Sequence, residues 1–303
     1  MTDASPTTAQ AEIHSARLRN FVSDFARSPV AVISLILILC LMFVSFAAPL
    51  VSPQDPYDLA KLDWMDAFLR PGTVGSGGYV HTLGTDNAGR DMLSAIFYGL
   101  RTSFVIGLSA GALALMVGIC LGLIAAYFGG RIEAVIMRVV DLQLSMPAIL
   151  LALVLVAVLG QGISQIILAL VIAQYAYFAR TTHGAAKVER GKDYIEAARS
   201  TPLPTSRVLF RHLLPNVLPP LIVVATVQVA SAIALEATLS FLGVGLPLTE
   251  PSLGSLIANG FKYIHTDRYW LSIFPGVFLM ITVVAINLVG DQVRTVLDPR
   301  QNR

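Results

Sequence analysis

Long apolar runs, separated by polar segments, dominate the hydropathy pattern of this chain. The first, Val30 to Leu50, carries no charge, and the second extends from Thr102 to Gly130. About 20 mainly apolar residues, rising about 1.5 Å each, cross a hydrocarbon core about 30 Å thick. Each run therefore predicts one transmembrane helix.

A third apolar stretch, Leu142 to Ala179, is uncharged and too long for one ordinary span. The tripeptide Gly160-Gln161-Gly162 interrupts it with residues typical of a tight turn. We therefore predict two helices here, the earlier one beginning near Glu133. Two further spans are predicted over Val217 to Leu242 and Leu271 to Gly290, which makes an all-α integral membrane protein with six transmembrane helices.

The spans divide the chain into segments that are expected to differ in role. These segments are a tail (1–29), the first span (30–50), an outer segment (51–100), a five-helix core (101–292) with an inner loop (181–216), and a tail (293–303). In the outer segment Leu59, Leu62, Met65 and Phe68 recur at helical spacing, which predicts a short amphipathic helix. This segment is expected either to dock a partner protein or to cover the bundle, and the sequence does not separate the two.

The distribution of lysine and arginine predicts the orientation. Of the 21 such residues, fourteen fall in segments on the side of the N-terminus, six fall on the other side, and Arg138 lies within a span. This excess predicts that both termini face the cytoplasm. Tyr269 and Trp270 open the last span at its outer end, where amphipathic rings prefer the headgroup level.

Composition agrees with a membrane protein and excludes several other classes. Hydrophobic residues make up 55% of the chain and charged residues 13%, and the mean hydropathy is +0.71, whereas soluble domains carry about 25% charged residues. A net charge of +2 does not indicate a nucleic-acid partner. Both cysteines, Cys40 and Cys120, lie inside apolar runs and are interpreted as packing residues.

Four glycines lie on one face of the second predicted helix. Gly107, Gly111, Gly118 and Gly122 follow one another at offsets of four, seven and four. Two of these pairs are small-xxx-small motifs, which let helix backbones approach closely in lipid. The face is predicted to pack against other helices, either of this chain or of a second subunit.

No catalytic or metal-binding constellation is present in the sequence. It contains no G-x-x-x-x-G-K-[ST] phosphate loop, G-x-S-x-G elbow or H-E-x-x-H helix, and its five histidines show no metal-ligand spacing. We therefore predict no catalytic residue, no metal and no cofactor bound by this chain. A transport subunit is favoured over an enzyme.

The loop between the fourth and fifth helices is polar and basic. Its first part, from about Ala185 to Ser200, is compatible with a helix that Pro202 and Pro204 stop. A second helical stretch, Ser206 to Leu214, leads to Pro215. Two short helices at the membrane face form a rigid projection that can transmit force from a soluble partner. A plain solvated loop is the alternative.

Within this loop, Glu196-Ala197-Ala198 followed by Leu214-Pro215 resembles the E-A-A motif of the permeases of ATP-binding-cassette (ABC) importers. Pro202 stands where that family has glycine. Four further stretches resemble the dipeptide, oligopeptide and nickel permeases, in particular the shorter permease of a heteromeric pair. These stretches are 81–103, 126–153, 237–245 and 287–300.

The resemblance implies a type I ABC importer permease fold in a bacterial inner membrane. It implies partners: a second permease, one or two cytoplasmic ATPase subunits that bind ATP and magnesium, and an extracytoplasmic binding protein. The loop would dock on the ATPase. The docking residues it implies are Glu196, Ala197, Ala198, Arg199, Pro202, Leu214 and Pro215. Short peptides are the implied cargo, with nickel complexes or glutathione as alternatives.

Charged residues inside the spans are the remaining candidates for function. Glu236, near the outer end of the fifth helix, is predicted either to face the pore as part of a gate or to pair structurally with an arginine. Arg138 and Asp141 lie three residues apart on the third helix and are predicted to form a structural pair, with contacts to the substrate as the alternative. An ion-coupled secondary transporter would require acidic groups near the bilayer midplane and an internal repeat, and neither is apparent in the sequence.

Overall fold

The computed structural model describes residues 19–56, 58, 62–200, 203–247 and 250–297. After helical residues 19–26, helix α1 (Pro29–Phe46) begins at Ser28, whose hydroxyl accepts a hydrogen bond from the amide of Ala31. A short turn of helix, α2 (Ala48–Val51), follows. The last helix, α11 (Trp270–Leu297), ends beside helical residues 19–26, since Phe25 packs with Val293. We call this end of the bundle the inner end and the opposite end the outer end.

Helices α3 (Met92–Phe128) and α6 (Ile163–Arg190) form the centre of the bundle together with α9 (Leu214–Phe241). The four glycines of α3 are buried, and they contact two different helices. A Cβ on Gly107 would lie 2.5 Å from Ile233 Cγ1 of α9, and one on Gly122 would lie 2.5 Å from Thr182 Cβ of α6. The glycine face therefore packs within this chain, against two different helices.

The third span is broken, which the sequence interpretation missed. Helix α4 (Gly130–Leu144) and helix α5 (Ala148–Leu159) meet at a bend of 94°. Pro147 precedes α5. Its ring fixes φ and it has no amide hydrogen to donate, which favours a break in the helix at this position. At 12 residues, α5 is about 18 Å long and cannot cross the membrane alone.

The polar loop between the fourth and fifth spans is shorter than the predicted 181–216. Helix α6 continues to Arg190, and helix α7 (Asp193–Ser200) follows after a single turn. The chain then forms α8 (Thr205–Arg207), a π-helical turn (Val208–Leu213) and α9 as one continuous span. Pro215 does not end a helix but lies within this continuous span, directly after the π-helical turn.

The outer segment is not helical where an amphipathic helix was predicted. In its described part a 3₁₀ turn (Trp64–Asp66) replaces that helix; Leu59 lies outside the described residues. Met65 is 86% exposed, whereas Phe68 packs into a buried cluster with Trp270. A two-stranded hairpin, β1 (Thr73–Val74) and β2 (Val80–His81), and helix α10 (Leu253–Phe261) complete the outer end.

Five helices in the described part of the chain are long and apolar enough to cross a membrane, and the bent pair α4–α5 makes a sixth span. The predicted all-α, six-span architecture is therefore confirmed, with the third span broken rather than straight. Buried side chains from α3, α5, α6 and α9 form a central apolar cluster that includes Ile106, Val156, Leu170 and Leu239.

Candidate coupling helix and inner groove

Helix α7 lies outside the spans, and one buried side chain anchors it at the inner end. Ile195 is fully buried in a cluster with Leu123 of α3, Ala186 of α6 and Leu213 of the π-helical turn. The next residue, Glu196, is exposed. The helix thus has one face that packs on three elements and another that faces solvent.

Tyr194 adds a polar link between α7 and two spans. Its hydroxyl donates to Glu189 Oε2 at 2.8 Å, near the end of α6, and accepts from Asn216 Nδ2 at 3.0 Å, at the start of α9. Partial burial, together with the hydrogen bond to the Glu189 carboxylate, raises the pKa of Tyr194 to about 12. The phenol therefore stays a hydrogen-bond donor at neutral pH. Its two hydrogen bonds connect α7 to α6 and to α9, so a displacement of α7 is transmitted to both helices.

The structure locates only some of the predicted docking residues. Ala197, Ala198 and Arg199 belong to α7, but their side chains lie outside the described part of the chain, as does Pro202 entirely. Leu214 packs on the cluster around Ile195. Pro215 lines a shallow surface hollow beside Phe210 and Arg211.

A large open groove runs along the inner half of α9. Its volume is about 1040 Å³, and its walls come from α4, α6, α9 and α11. Polar residues at the inner end include Arg180, Asn216 and Arg294, whereas Pro219, Pro220 and Val223 make the middle apolar. The lining residues are Leu144, Tyr177, Arg180, Thr181, Asn216, Pro219, Pro220, Val223, Val224, Val227, Gln228, Arg294 and Leu297.

Gln228, which sequence reasoning missed, lines this groove farthest along α9 from its inner end. It is 7% exposed, and its backbone oxygen accepts a hydrogen bond from Gln174 Nε2 of α6 at 3.4 Å. Two buried amide atoms, Gln228 Nε2 and Gln174 Oε1, have no hydrogen-bond partner among the described residues. An uncharged amide within a long apolar run was the signal available in the sequence, but only the packing of α6 on α9 brings the two together.

Glu236 lies in the interior of the bundle, and no arginine among the described residues pairs with it. It is fully buried and accepts hydrogen bonds from Ser103 Oγ and Ser240 Oγ, both at 2.8 Å. Glu236 therefore ties α3 to α9, and neither the predicted pore-facing position nor the predicted arginine partner is observed among the described residues.

The predicted pair of Arg138 and Asp141 is also not formed. Asp141 makes its ion pair with Arg180 of α6, and Arg138 lies with both of them along a polar groove between α4 and α6. Nearby, Glu133 contacts Lys187 Nζ at 2.6 Å and His183 Nε2 at 2.8 Å. The charges of α4 thus serve to join α4 to α6 rather than to pair within one helix.

At the outer end, a buried polar cluster fixes the segment before α3. His81 Nδ1 lies 3.0 Å from Asp91 Oδ1, and Asp91 caps α3 by accepting from the amide of Ser94. Trp270 Nε1 donates to Thr85 O at 3.2 Å, which joins the segment to α11. Among the described residues, no group of three or more His, Cys, Asp or Glu side chains could hold a metal ion.

Two family models match the chain. Residues 118–303 match the binding-protein-dependent transport system inner membrane component, and residues 17–71 match the N-terminal transmembrane domain of oligopeptide transport permease C. The di/tripeptide transport system permease protein DppC of Pseudomonas aeruginosa (strain UCBPP-PA14) is 36% identical over 297 residues, covering 98% of this chain and 96% of that protein. The dipeptide transport system permease protein DppC of Escherichia coli (strain K12) is 38% identical, covering 93% of each chain.

Superposition on solved structures supports the fold. A chain of the MetNI methionine ABC transporter, in an inward-facing conformation, superposes with a TM-score of 0.53 at 22% identity and covers 68% of this chain and 97% of that chain. A chain of an amino acid ABC transporter superposes with a TM-score of 0.51 at 13% identity and covers 67% of this chain. At such identities the superpositions support the helical arrangement of the core and carry no information on cargo.

Proposed function

Because this chain belongs to the family of binding-protein-dependent transport system inner membrane components and is a permease component of an ABC importer, we propose that its cargo is short peptides of two or three residues. Two relatives that align over nearly their whole length are named for dipeptide or di/tripeptide transport. The groove along α9 has room for such a peptide. Nickel complexes and glutathione stay the alternatives.

The observation that carries the coupling role is the placement of α7. This short helix lies outside the spans, is held by Ile195 and Tyr194, and exposes Glu196. Such a helix can dock on a cytoplasmic ATPase, and a closing ATPase dimer would then move α6 and α9 through it. Hydrolysis of ATP would occur on that partner, since this chain has no phosphate loop.

The remaining assignments follow from the same arrangement. The chain is a multi-pass membrane protein of a bacterial importer family, and the excess of Lys and Arg at the inner end supports cytoplasmic termini. The groove along α9 is open on one side and is completed in this proposal by a second permease subunit. An extracytoplasmic binding protein would deliver cargo to the outer end.

A charge reversal on α7 tests the coupling role. The substitution Glu196→Arg places a cation on the exposed face, and we expect less ATPase to co-purify with the tagged permease and uptake of labelled dipeptide to fall in parallel. The matched control is Asp291→Arg, which reverses an exposed charge at the inner end of α11. Equal ATPase recovery and equal uptake for both variants would remove α7 from the docking surface.

Competition for uptake tests the cargo. In cells expressing the complete importer, unlabelled dipeptides and tripeptides are expected to suppress uptake of a labelled dipeptide, whereas glutathione and nickel complexes are not. The control is the same strain with the binding protein deleted. Suppression by nickel complexes or glutathione but not by dipeptides would contradict the peptide assignment.

A further inference from the structure

The end of the inner groove nearest the middle of α9 contains a polar group that the packing of this chain does not satisfy. Gln228 is 7% exposed and lines the groove, and its Nε2 has no hydrogen-bond partner among the described residues. A buried amide without a partner has lost its hydrogen bonds to water without replacement, which is energetically unfavourable. The unpartnered Gln228 amide lies where the wall of a large groove meets the interior of the bundle.

A second buried amide atom, an acceptor on the neighbouring helix α6, also has no partner among the described residues. Gln174 is 1% exposed, donates through Nε2 to the backbone oxygen of Gln228, and leaves its Oε1 buried without a partner. The two side chains therefore have a free donor on Gln228 and a free acceptor on Gln174. A peptide unit carries the complementary pair, one carbonyl acceptor and one amide donor.

The surroundings make this position distinct along the path. Gln228 lies twelve positions along α9 from Asn216, at the inner end of the groove, which corresponds to about 18 Å of helix. The residues of α9 between them that line the groove are Pro219, Pro220, Val223, Val224 and Val227, which offer no side-chain hydrogen bond. A peptide moving along this wall of α9 would find a polar side chain again only at Gln228.

We propose that Gln228, supported by Gln174, is a transient binding subsite for the peptide backbone near the middle of the translocation path. This inference rests on the proposed peptide cargo. Gln228 Nε2 is buried in the structure, and in this proposal the side chain turns toward the groove so that its amide donates to a peptide carbonyl. This hydrogen bond offsets part of the desolvation cost of carrying a peptide unit past an apolar surface. Because the subsite contacts backbone atoms, it accepts side chains of different chemistry.

The test uses the assembled importer in proteoliposomes with its binding protein. The substitution Gln228→Met keeps the length of the side chain and removes its hydrogen-bonding groups. We expect the maximal rate of dipeptide uptake to fall about fivefold, the size of one lost hydrogen bond, while the ATPase activity stimulated by the loaded binding protein is retained. More ATP is then consumed per peptide. Gln228→Asn, which keeps an amide, should recover part of the uptake.

The matched control is Gln143→Met on α4, which removes an amide that donates to Ile172 O but does not line the groove. Its uptake and ATPase activity should match the unmodified importer. Equal uptake by the Gln228→Met variant would overturn the subsite, as would a loss of assembled complex in that variant, since Gln228 would then be a packing residue only. If the unmodified importer itself fails to carry dipeptides, the proposed function fails first.

Discussion

The two ends of the bundle are held together in opposite ways. At the outer end, the segment before α3 is fixed by buried polar contacts, with His81 and Asp91 both fully buried and Thr85 bonded to Trp270 of α11. At the inner end, the described contacts that attach α7 are the buried side chain of Ile195 and the hydroxyl of Tyr194, and Glu196 is exposed. We therefore call the outer end, which several buried polar contacts fix, a rigid cap. The inner end instead carries a short helix that is attached at few points and exposes one face.

This difference indicates where movement can enter the molecule. Breaking one contact in a cluster of buried, hydrogen-bonded side chains leaves other members of the cluster without partners in the interior, which costs free energy. A short helix with one apolar anchor can shift with its partner while its contacts to α6 and α9 persist. The comparison is sharpened by removing one contact at each end and measuring stability and transport separately.

The largest effect on stability is expected at the outer cap. Asp91→Ala removes the N-cap of α3 and leaves His81 Nδ1 buried without its carboxylate. We expect a loss of about 3 kcal/mol, because a lost cap and a buried unsatisfied group add. Thermal unfolding of the purified permease in detergent measures it.

The control at the same end is Arg70→Ala, which breaks the exposed ion pair with Asp267. A surface pair of this kind contributes about 0–1 kcal/mol, so its melting temperature should barely change. If the two variants melted together, the outer segment would not be the rigid cap described above.

A smaller stability effect with a larger functional one is expected at the inner end. Ile195→Ala empties the anchor of α7 and should cost about 2 kcal/mol. We expect dipeptide uptake to fall well below the level that protein abundance explains, because α7 no longer transmits movement. Uptake per folded permease is the measurement, with Val188→Ala, at a 71% exposed position of α6, as control. Normal uptake by Ile195→Ala would show that the anchor is dispensable.

The smallest effect is expected from Tyr194→Phe, which removes one hydroxyl that links α7 to Asn216 and Glu189. The loss should be about 1 kcal/mol. The pKa of Tyr194 is raised to about 12, so its contribution is complete below the ordinary tyrosine pKa of about 10 and disappears as the pH rises toward 12. Denaturant unfolding should separate the two proteins at pH 8 and bring them together at high pH. A constant difference across this range would exclude the hydroxyl as the cause.

The sequence by itself determined the membrane class, the number of spans and the family. These follow from local properties: the length of apolar runs, the charge between them, and motif spacing around Glu196. The glycine offsets on α3 likewise required a close-packed face, because helical periodicity places them together wherever the helix lies.

Only the tertiary structure decided which groups meet. Glu236 is hydrogen-bonded to Ser103 of α3 and to Ser240 of its own helix rather than paired with an arginine, and Asp141 pairs with Arg180 rather than with Arg138. Gln174 and Gln228 lie 54 residues apart and became a pair through the packing of α6 on α9. Such partners depend on helix crossing and rotation, which are set by contacts throughout the bundle, and no local pattern in the chain records them.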